Sequence, residues 1–198
     1  MFEGGEGCGK STQIRLLADR LQAETTAEVV ITFEPGATTR GAQLRKLLLD
    51  DPSPLDPRAE LLLMAADRAQ HCGEVIAPAL GRGAIVLCDR FEPSSLAYQG
   101  VGRGLGVDVV ENVSGVARGG VVPDIVVVLD VSADVAAQRR PTAEDRIEQA
   151  GTEFHARVRA AYRELAGDRG WRVIDAEGTI ETVQSLVWQA VAPLVAGQ

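Results

Sequence analysis

The sequence predicts an α/β fold in which a doubly wound, five-stranded parallel sheet carries helices on both faces. Short apolar runs alternate along the chain with longer segments suited to helices, an order that favours parallel strand pairing. Four of the runs are almost continuously apolar, which is typical of strands buried on both faces of a parallel sheet. The 198 residues suffice for one domain, 1–198, with a substantial core.

The strands are predicted in order along the chain. The first is expected just before Gly4, where only three residues stand. Strands usually have about 5 to 6 residues, so we expect either a shortened strand or, as the favoured interpretation, natural residues missing before Met1. The other strands are predicted over Val29–Phe33, 84–88, 125–129 and 171–174. Helices are predicted over 11–24, 57–80, 145–165 and Ile180–Val195.

Composition argues against several classes of protein. The 28 acidic and 20 basic residues give a net charge of −8, so the chain lacks the clustered positive charge that general binding to nucleic acids or to anionic membranes requires. No apolar run approaches the ~20 residues of a membrane-spanning helix. The cysteines, Cys8, Cys72 and Cys88, fit neither a zinc site nor a disulfide framework, so we expect reduced thiols in a cytoplasmic protein.

The segment from Gly4 to Ser11 matches the phosphate-binding pattern G-x-x-x-x-G-K-[ST] at every fixed position. Glycines let backbone N–H groups approach phosphate oxygens, and the following helix directs its N-terminal dipole at the same anion. Lys10 would neutralise the β- and γ-phosphates, and Ser11 would bind Mg²⁺. A glycine-rich turn with a chance Lys-Ser pair is the alternative. The predicted fold is therefore of the P-loop NTPase type, with these ATP-binding residues: Gly4, Gly5, Glu6, Gly7, Cys8, Gly9, Lys10, Ser11 and Thr12.

Charged residues follow the next two predicted strands. Ligands gather at the carboxyl ends of strands in this class of fold. Glu34 ends the second strand, and Asp89 and Arg90 end the third. Asp89 is placed to hold Mg²⁺ together with Ser11, and Arg90 is placed to bind a phosphate through two hydrogen bonds. A surface ion pair at the end of the strand is the alternative.

A further group of residues could bind the base and sugar of an acceptor nucleotide. Met64 and Arg68 are four residues apart on one predicted helix, so they share a face. Arg68 could bond to a base edge while Met64 packs on the ring; pairing of Arg68 with an acidic neighbour, Glu60 or Asp67, is the alternative. A polar cluster after Arg90 could line the same pocket: Ser94, Ser95, Tyr98 and Gln99; a helix-capping role for the two serines is the alternative.

Together these residues resemble those of thymidylate kinases over nearly the whole chain. The phosphate loop is common to many families, whereas the Asp-Arg pair at 89–90 with the Ser-Leu-Ala-Tyr-Gln-Gly run at 95–100 is far more specific. The resemblance implies Mg²⁺-dependent transfer of the γ-phosphoryl group of ATP to dTMP, giving dTDP, by a homodimer that packs through helices including the one with Arg68. The matching segments are residues 2–13, 34–36, 65–71, 88–90, 94–100, 102–104, 123–124, 145–148 and 154–155.

The resemblance also implies roles in the acceptor site. Glu6 would contact the 3′-hydroxyl of the deoxyribose, and Arg45 and Arg90 would hold the phosphate of dTMP. Arg68 would bond to the carbonyl at position 4 of thymine. Ser95 would lie near the pyrimidine edge, and Tyr98 would lie under the sugar.

The sequence departs from the family pattern at three positions. Phe33 stands where the family often has Arg, Ala37 where it often has Gly, and Met64 replaces a base-stacking Phe, with less aromatic contact. Two other functions stay open: a different small-molecule P-loop kinase, such as a deoxynucleoside kinase, and a nucleotide-binding protein without transferase activity. Arg45 and Arg90 favour an acceptor that already carries a phosphate.

A short helical lid is predicted over residues 139–146. A mobile segment with arginines suits closure over the γ-phosphate; a solvated charged turn is the alternative. In relatives, the catalytic arginine lies in the phosphate loop or in the lid, and this loop contains no basic residue between Gly4 and Gly9. The predicted catalytic residues are Lys10, Arg90 and a lid arginine, with Arg146 first, Arg140 second and Arg139 as the remaining candidate.

Overall fold

The computed structural model describes residues 1–51, 53–139 and 145–195 and contains an all-parallel five-stranded sheet with strand order β2-β3-β1-β4-β5. The predicted fold class is therefore confirmed. The strands are β1 (Phe2–Glu3), β2 (Val29–Phe33), β3 (Ile85–Asp89), β4 (Val127–Asp130) and β5 (Arg172–Asp175). The prediction matches β2 at both ends and differs from the other predicted bounds by one or two residues.

Helices cover both faces of this sheet. They are α1 (Lys10–Glu24), α2 (Thr39–Arg45), α3 (Pro57–His71), α4 (Ala77–Gly81), α5 (Glu92–Ser95), α6 (Val107–Arg118), α7 (Ala133–Arg139), α8 (Thr152–Arg169) and α9 (Ile180–Val195). Wider π-helical turns lie at Lys46–Asp50, Cys72–Ile76 and Leu96–Gly102, and a 3₁₀ turn lies at Glu148–Ala150. In the described part of the chain, no helix is both long and apolar enough to cross a membrane.

The core has two layers, one on each face of the sheet. Val127 packs in a cluster with Leu17 of α1 and Val187 of α9. The next residue, Val128, packs on the other face with Val158 of α8 among others. Successive residues of a strand point to opposite faces, so one strand serves both layers. This arrangement fixes the carboxyl ends of the strands at one edge, where the loops meet.

The central strand β1 has two residues and pairs with a longer strand on each side. Phe2 is paired with Asp89 on one side and with Val127 on the other. The backbone N–H of Arg90 donates to the Phe2 carbonyl at 2.9 Å, just beyond the end of β3. Two residues between two longer strands are therefore enough to place Gly4 at the start of the phosphate loop.

The prediction that the apolar strands are buried on both faces is wrong for the edge strands. Ile31 and Phe33 of β2 are 51% and 44% exposed, and Val173 of β5 is 44% exposed. Ile31 and Phe33 line an open cavity instead of packing under a helix. An apolar run can therefore mark a ligand-facing strand as well as a buried one.

Two predicted helices are interrupted. The helix predicted over 57–80 is divided by the π-helical turn Cys72–Ile76, just before Pro78, whose ring nitrogen has no N–H to donate. The helix predicted from 145 begins only at Thr152. Gly151 precedes it with φ +90°, a conformation that side chains of L residues disfavour. Of the predicted lid, residues 140–144, including Arg140, lie outside the described residues.

Candidate active site

A cavity of about 1030 Å³ opens at the carboxyl ends of the strands. It extends from the phosphate loop to α3 and the turn after α5. Gly4, Gly5 and Arg146 are not among the residues that line it. The predicted site residues that do line it are Glu6, Gly7, Cys8, Gly9, Lys10, Ser11, Thr12, Arg45, Met64, Arg68, Asp89, Arg90, Ser94, Ser95, Tyr98 and Gln99.

The phosphate loop is shaped by glycines that no other residue could replace without strain. Gly4 has φ +129°, and a Cβ there would lie 2.3 Å from the Leu129 carbonyl oxygen. Gly9, at φ +93°, precedes α1 in the left-handed conformation. No acidic residue occupies the first turn of α1, so the positive end of the helix dipole is not neutralised locally. The loop and the start of the helix together have the geometry and the dipole that suit a phosphate group.

Lys10 lies against this loop. Its Nζ donates to the Gly5 carbonyl at 3.0 Å and to the Gly4 carbonyl at 3.4 Å, and it lies 3.6 Å from Cys8 Sγ. The side chain is buried. Backbone carbonyls are weaker partners for an ammonium group than phosphate oxygens are, so the position suits a lysine that exchanges these contacts for a nucleotide.

Ser11 and Asp89 meet although they are 78 residues apart. Ser11 Oγ donates to Asp89 Oδ2 at 3.1 Å, which brings a hydroxyl from α1 to a carboxylate at the end of β3. Oxygen ligands of this kind suit Mg²⁺, which usually takes one or two protein oxygens and completes its shell with water and phosphates. The described residues contain no cluster of three or more His, Cys, Asp or Glu side chains that could form an all-protein metal site.

Arg90 lies between the phosphate loop and the remainder of the cavity. It has φ +71°, a rare conformation for a residue with a side chain. Its guanidinium forms an ion pair with Glu6 and donates to Ser94 Oγ at 3.1 Å and to Tyr98 OH at 3.4 Å. It also donates to the Gly4 carbonyl at 3.1 Å. The predicted residues Glu6, Ser94 and Tyr98 thus share one arginine.

A buried carboxylate that the sequence analysis missed supports Arg90 from behind. Glu3 of β1 is fully buried and accepts hydrogen bonds from Phe91 N at 2.8 Å, Ser94 Oγ at 2.6 Å and Tyr162 OH at 2.9 Å. Burial raises the pKa of Glu3 above its ordinary value. The signal available in the sequence was an acidic residue inside a strand that would be buried on both faces.

Arg68 is held in an equally buried setting. Its Nε donates to Glu34 Oε2 at 2.9 Å, and its terminal nitrogens donate to Ser95 Oγ at 3.1 Å and to Ser114 Oγ at 3.3 Å. The guanidinium carbon lies 5.2 Å from the centre of the Phe91 ring. Arg68 therefore does form an ion pair, as the alternative expected, but its acidic partner is Glu34 and not Glu60 or Asp67.

Arg45 and Met64 flank the same end of the cavity. Arg45 Nη1 donates to the Pro35 carbonyl at 2.7 Å, and its guanidinium carbon lies 5.9 Å from the centre of the Phe33 ring. Met64 is half-buried on α3. Phe33, where an arginine was expected from the family pattern, thus supports Arg45 through its ring.

Glu60 brings together three residues whose meeting was not predicted. The carboxylate accepts from Gln99 Nε2 at 2.8 Å, from Arg103 Nη2 at 3.1 Å and from Arg146 Nη2 at 2.7 Å. Arg146 also donates through Nε to the Leu48 carbonyl at 2.8 Å. The structure therefore does not bring Arg146 to the cavity.

At the far end of the cavity, beyond the phosphate loop, the predicted lid candidate Arg139 lies near residues that were not predicted. Gln13 of α1 donates to the Ile180 carbonyl at 3.1 Å, which ties α1 to the start of α9. Arg139 lines the cavity here and donates to the Ala176 carbonyl at 2.8 Å. The cavity is therefore long enough to extend to both sides of the phosphate loop.

Comparisons with known proteins agree with this geometry. A family model described as thymidylate kinase matches residues 2–187. A thymidylate kinase of Synechococcus sp. (strain JA-3-3Ab) is 48% identical over 194 residues, with 97% of this chain and 94% of that protein covered. One of Halothermothrix orenii is 45% identical over 195 residues, with 96% and 94% covered. The crystal structure of thymidylate kinase from Ehrlichia chaffeensis matches with a TM-score of 0.80 at 32% identity, with 96% of each chain covered.

Proposed function

The chain belongs to the thymidylate kinase family, whose activity is the ATP-dependent phosphorylation of dTMP to dTDP, and we propose that its cavity binds the two nucleotides on opposite sides of Arg90. The observation that carries this proposal is the position of Arg90, which donates both to the carbonyl of the phosphate-loop residue Gly4 at 3.1 Å and to the hydroxyl of the acceptor-side residue Tyr98 at 3.4 Å. A cation placed between two phosphate-bearing substrates lowers their mutual repulsion and aligns them for transfer.

The donor half comprises the phosphate loop and α1. We assign ATP to Gly4, Gly5, Glu6, Gly7, Cys8, Gly9, Lys10, Ser11 and Thr12. Backbone N–H groups of the loop and the ammonium of Lys10 would stabilise the negative charge on the transferred phosphoryl group. The contacts of Lys10 with loop carbonyls support this assignment, because the ammonium is already directed into the loop.

Ser11 and Asp89 are the proposed protein ligands of Mg²⁺. Their 3.1 Å contact brings together the oxygen donors that this ion prefers. When bound, Mg²⁺ supplies charge neutralisation at the β- and γ-phosphates. The two side chains hold their oxygens next to the phosphate loop, which is the position that this chemistry requires.

The acceptor half is the proposed dTMP site. Arg45 and Arg90 would bind its phosphate, Glu6 and Tyr98 would contact the sugar, and Arg68 would bind the base. Arg68 suits a base edge because it carries several hydrogen-bond donors, is 2% exposed and lines the cavity. The remaining proposed contacts are Met64, Ser94, Ser95 and Gln99.

We also propose that the protein is a cytoplasmic homodimer. The exposed apolar residues Leu62 of α3 and Val109 and Val116 of α6 support a dimer, since these helices pack side by side and Val116 is 85% exposed. Three free, buried cysteines support a reducing compartment. Light scattering tests the dimer, and Val116→Asp should shift the mass towards a monomer.

A coupled assay of ADP release tests the proposed function. We expect kcat/KM to be highest for dTMP among dTMP, dUMP, dCMP, AMP and thymidine. Preferential turnover of thymidine would support a deoxynucleoside kinase instead. ATP binding without turnover of any acceptor would support a nucleotide-binding protein that lacks transferase activity.

A further inference from the structure

A buried chain of hydrogen bonds joins Arg68 to His71, which does not line the cavity, whereas the other members of the chain, Thr32 and Glu34, do. Thr32 Oγ1 lies 2.6 Å from His71 Nε2, His71 Nδ1 lies 2.9 Å from Glu34 Oε1, and Glu34 Oε2 accepts from Arg68 Nε at 2.9 Å. We propose that His71 is a positioning residue that acts through Glu34 to fix the guanidinium of Arg68 for recognition of the acceptor base. The proposal rests on the assignment of Arg68 to that base.

The geometry selects one arrangement of protons. An ionised carboxylate only accepts hydrogen bonds, so His71 must donate Nδ1–H to Glu34. In the neutral ring, Nε2 then accepts from the hydroxyl of Thr32. All of these side chains are at least nine-tenths buried, so no bulk water competes for the same positions. The imidazole therefore holds one oxygen of Glu34 while the other oxygen holds Arg68.

The partners come from two elements, the end of β2 and the helix α3. Thr32 lies on β2, and Glu34 is the first residue after that strand. Arg68 and His71 are about one turn apart on α3. Their contacts therefore fix the rotation of α3 relative to the end of β2. The loop after Glu34 has its own anchor, since Gly36 N donates to Asp67 Oδ1 at 3.0 Å. Residues of α3 thus hold both the Glu34 carboxylate and the loop that follows Glu34.

A fixed guanidinium can discriminate between pyrimidines. An arginine side chain carries five N–H groups and no acceptor, and three of the five have partners among the described residues, namely Glu34, Ser95 and Ser114. The others remain available for a ligand. Thymine presents a carbonyl acceptor at position 4, whereas cytosine presents an amino donor. A rigid guanidinium disfavours the amino group of cytosine, because two facing donors would leave a buried polar group unpaired. A guanidinium that is free to rotate would disfavour cytosine less strongly.

Steady-state kinetics with matched variants tests this role. We expect His71→Leu to raise KM for dTMP at least about tenfold, to leave KM for ATP within about twofold, and to lower the preference for dTMP over dCMP by a similar factor. The amide nitrogen of His71→Asn occupies nearly the place of Nδ1, so this variant should recover most of the preference. His155→Gln, on α8, is the control and should match the wild type.

Thr32 provides a second, independent pair of variants, should His71→Leu fail to fold. Thr32→Val removes the hydroxyl without changing the shape, and it should raise KM for dTMP by a few fold. Thr32→Ser keeps the hydroxyl and should recover the preference for dTMP over dCMP. Equal values for Thr32→Val and Thr32→Ser would overturn the proposal.

Nitrogen NMR reports directly which nitrogen of the His71 imidazole carries a proton. The sequence contains two histidines, His71 and His155, so a spectrum of His155→Gln assigns the remaining ring. We expect Nδ1 of His71 to carry a proton at neutral pH; a ring without a proton on Nδ1 would overturn the proposal.

Kinetics of Arg68→Ala separates this inference from the function on which it rests. If Arg68→Ala loses the preference for dTMP and folded His71→Leu keeps it, the relay is wrong while the base site remains. If Arg68→Ala itself keeps the affinity and preference for dTMP, the assignment of Arg68 to the base is wrong.

Discussion

Arg146 Nη2 lies 2.7 Å from Glu60 Oε2, a contact between residues 86 positions apart that ties the segment after residue 144 to α3. Glu60 is buried, and it also accepts from Gln99, which lines the cavity. The part of the chain that would carry a catalytic arginine is therefore attached to the elements of the acceptor site. Arg146 would therefore have to leave Glu60 before it could take part in phosphoryl transfer.

Lys10→Ala should abolish phosphoryl transfer while the protein stays folded. Lys10 is the only basic residue of the phosphate loop, so no neighbour can replace its charge at the β- and γ-phosphates. Turnover is measured by ADP release and folding by circular dichroism. Lys46→Ala is a matched control, because Lys46 is the other lysine of the chain and is exposed. Near-normal turnover in Lys10→Ala would contradict the assigned nucleotide site.

Asp89→Asn should raise the Mg²⁺ concentration needed for half-maximal activity by about 10- to 100-fold, the usual cost of weakening a metal site. The amide keeps the shape of the side chain but loses the charge that faces Ser11. A Mg²⁺ titration of activity at saturating ATP and dTMP measures the change. The exposed Asp108 of α6 provides the control, Asp108→Asn. An unchanged Mg²⁺ requirement in Asp89→Asn would exclude this carboxylate as a ligand.

The phosphate loop was predictable because all of its parts are contiguous in the sequence. The strand β2 was predictable as well, because its apolar run is bounded on both sides by polar or turn residues. By contrast, Glu3 and Tyr162 meet across 159 residues. The partner of Arg68 was predicted among its neighbours on α3, whereas Glu34 reaches it from the end of β2. Periodicity describes the face of a helix, but it does not say which strand end that face will meet.

Two errors of the prediction, one in the start of a helix and one in the burial of a strand, have local causes that the apolar pattern does not record. A residue such as Gly151 interrupts a helix because the backbone there has a positive φ, and glycine occurs for many other reasons. Ile31 and Phe33 were expected in the core, but they line the cavity. Apolar character is the same in a core and in a ligand site, so only the arrangement of the helices separates these cases.

Asp67→Asn should change how stability depends on pH. Burial and the nearby Glu34 carboxylate raise the pKa of Asp67 to about 6 from an ordinary value of 3.8. Between these values the folded protein holds a proton that the unfolded chain has lost, so the free energy of unfolding falls as pH rises through this window. Asn keeps an acceptor for Gly36 N and removes the charge, so above pH 6 the variant should be more stable by up to about 3 kcal/mol.

Urea unfolding from pH 4.5 to 8 measures this effect as the difference between Asp67→Asn and the wild type. The difference cancels the contributions of other groups that titrate in the same range. Asp108→Asn again serves as the control and should follow the wild-type curve. A difference that does not grow with pH would show that the charge of Asp67 does not destabilise the folded state.

The catalytic arginine should come from residues 139–146, and its loss should lower kcat far more than it changes KM, since such a residue acts mainly in the transition state. Arg146 can serve only if it leaves Glu60, because it does not line the cavity in this structure. If it does so, Arg146→Ala should lower kcat by at least about 100-fold. Glu60→Gln, which weakens the ion pair but keeps Arg146, should lower kcat much less.

If Arg146→Ala and Glu60→Gln reduce kcat and stability equally, Arg146 has only a structural role. The charge must then come from Arg139, which already lines the cavity, or from Arg140, and the alanine variants of these residues would show the loss of kcat instead. If all three single variants and the Arg140→Ala/Arg146→Ala pair keep kcat within about threefold at saturating ATP and dTMP, no arginine of this segment is required.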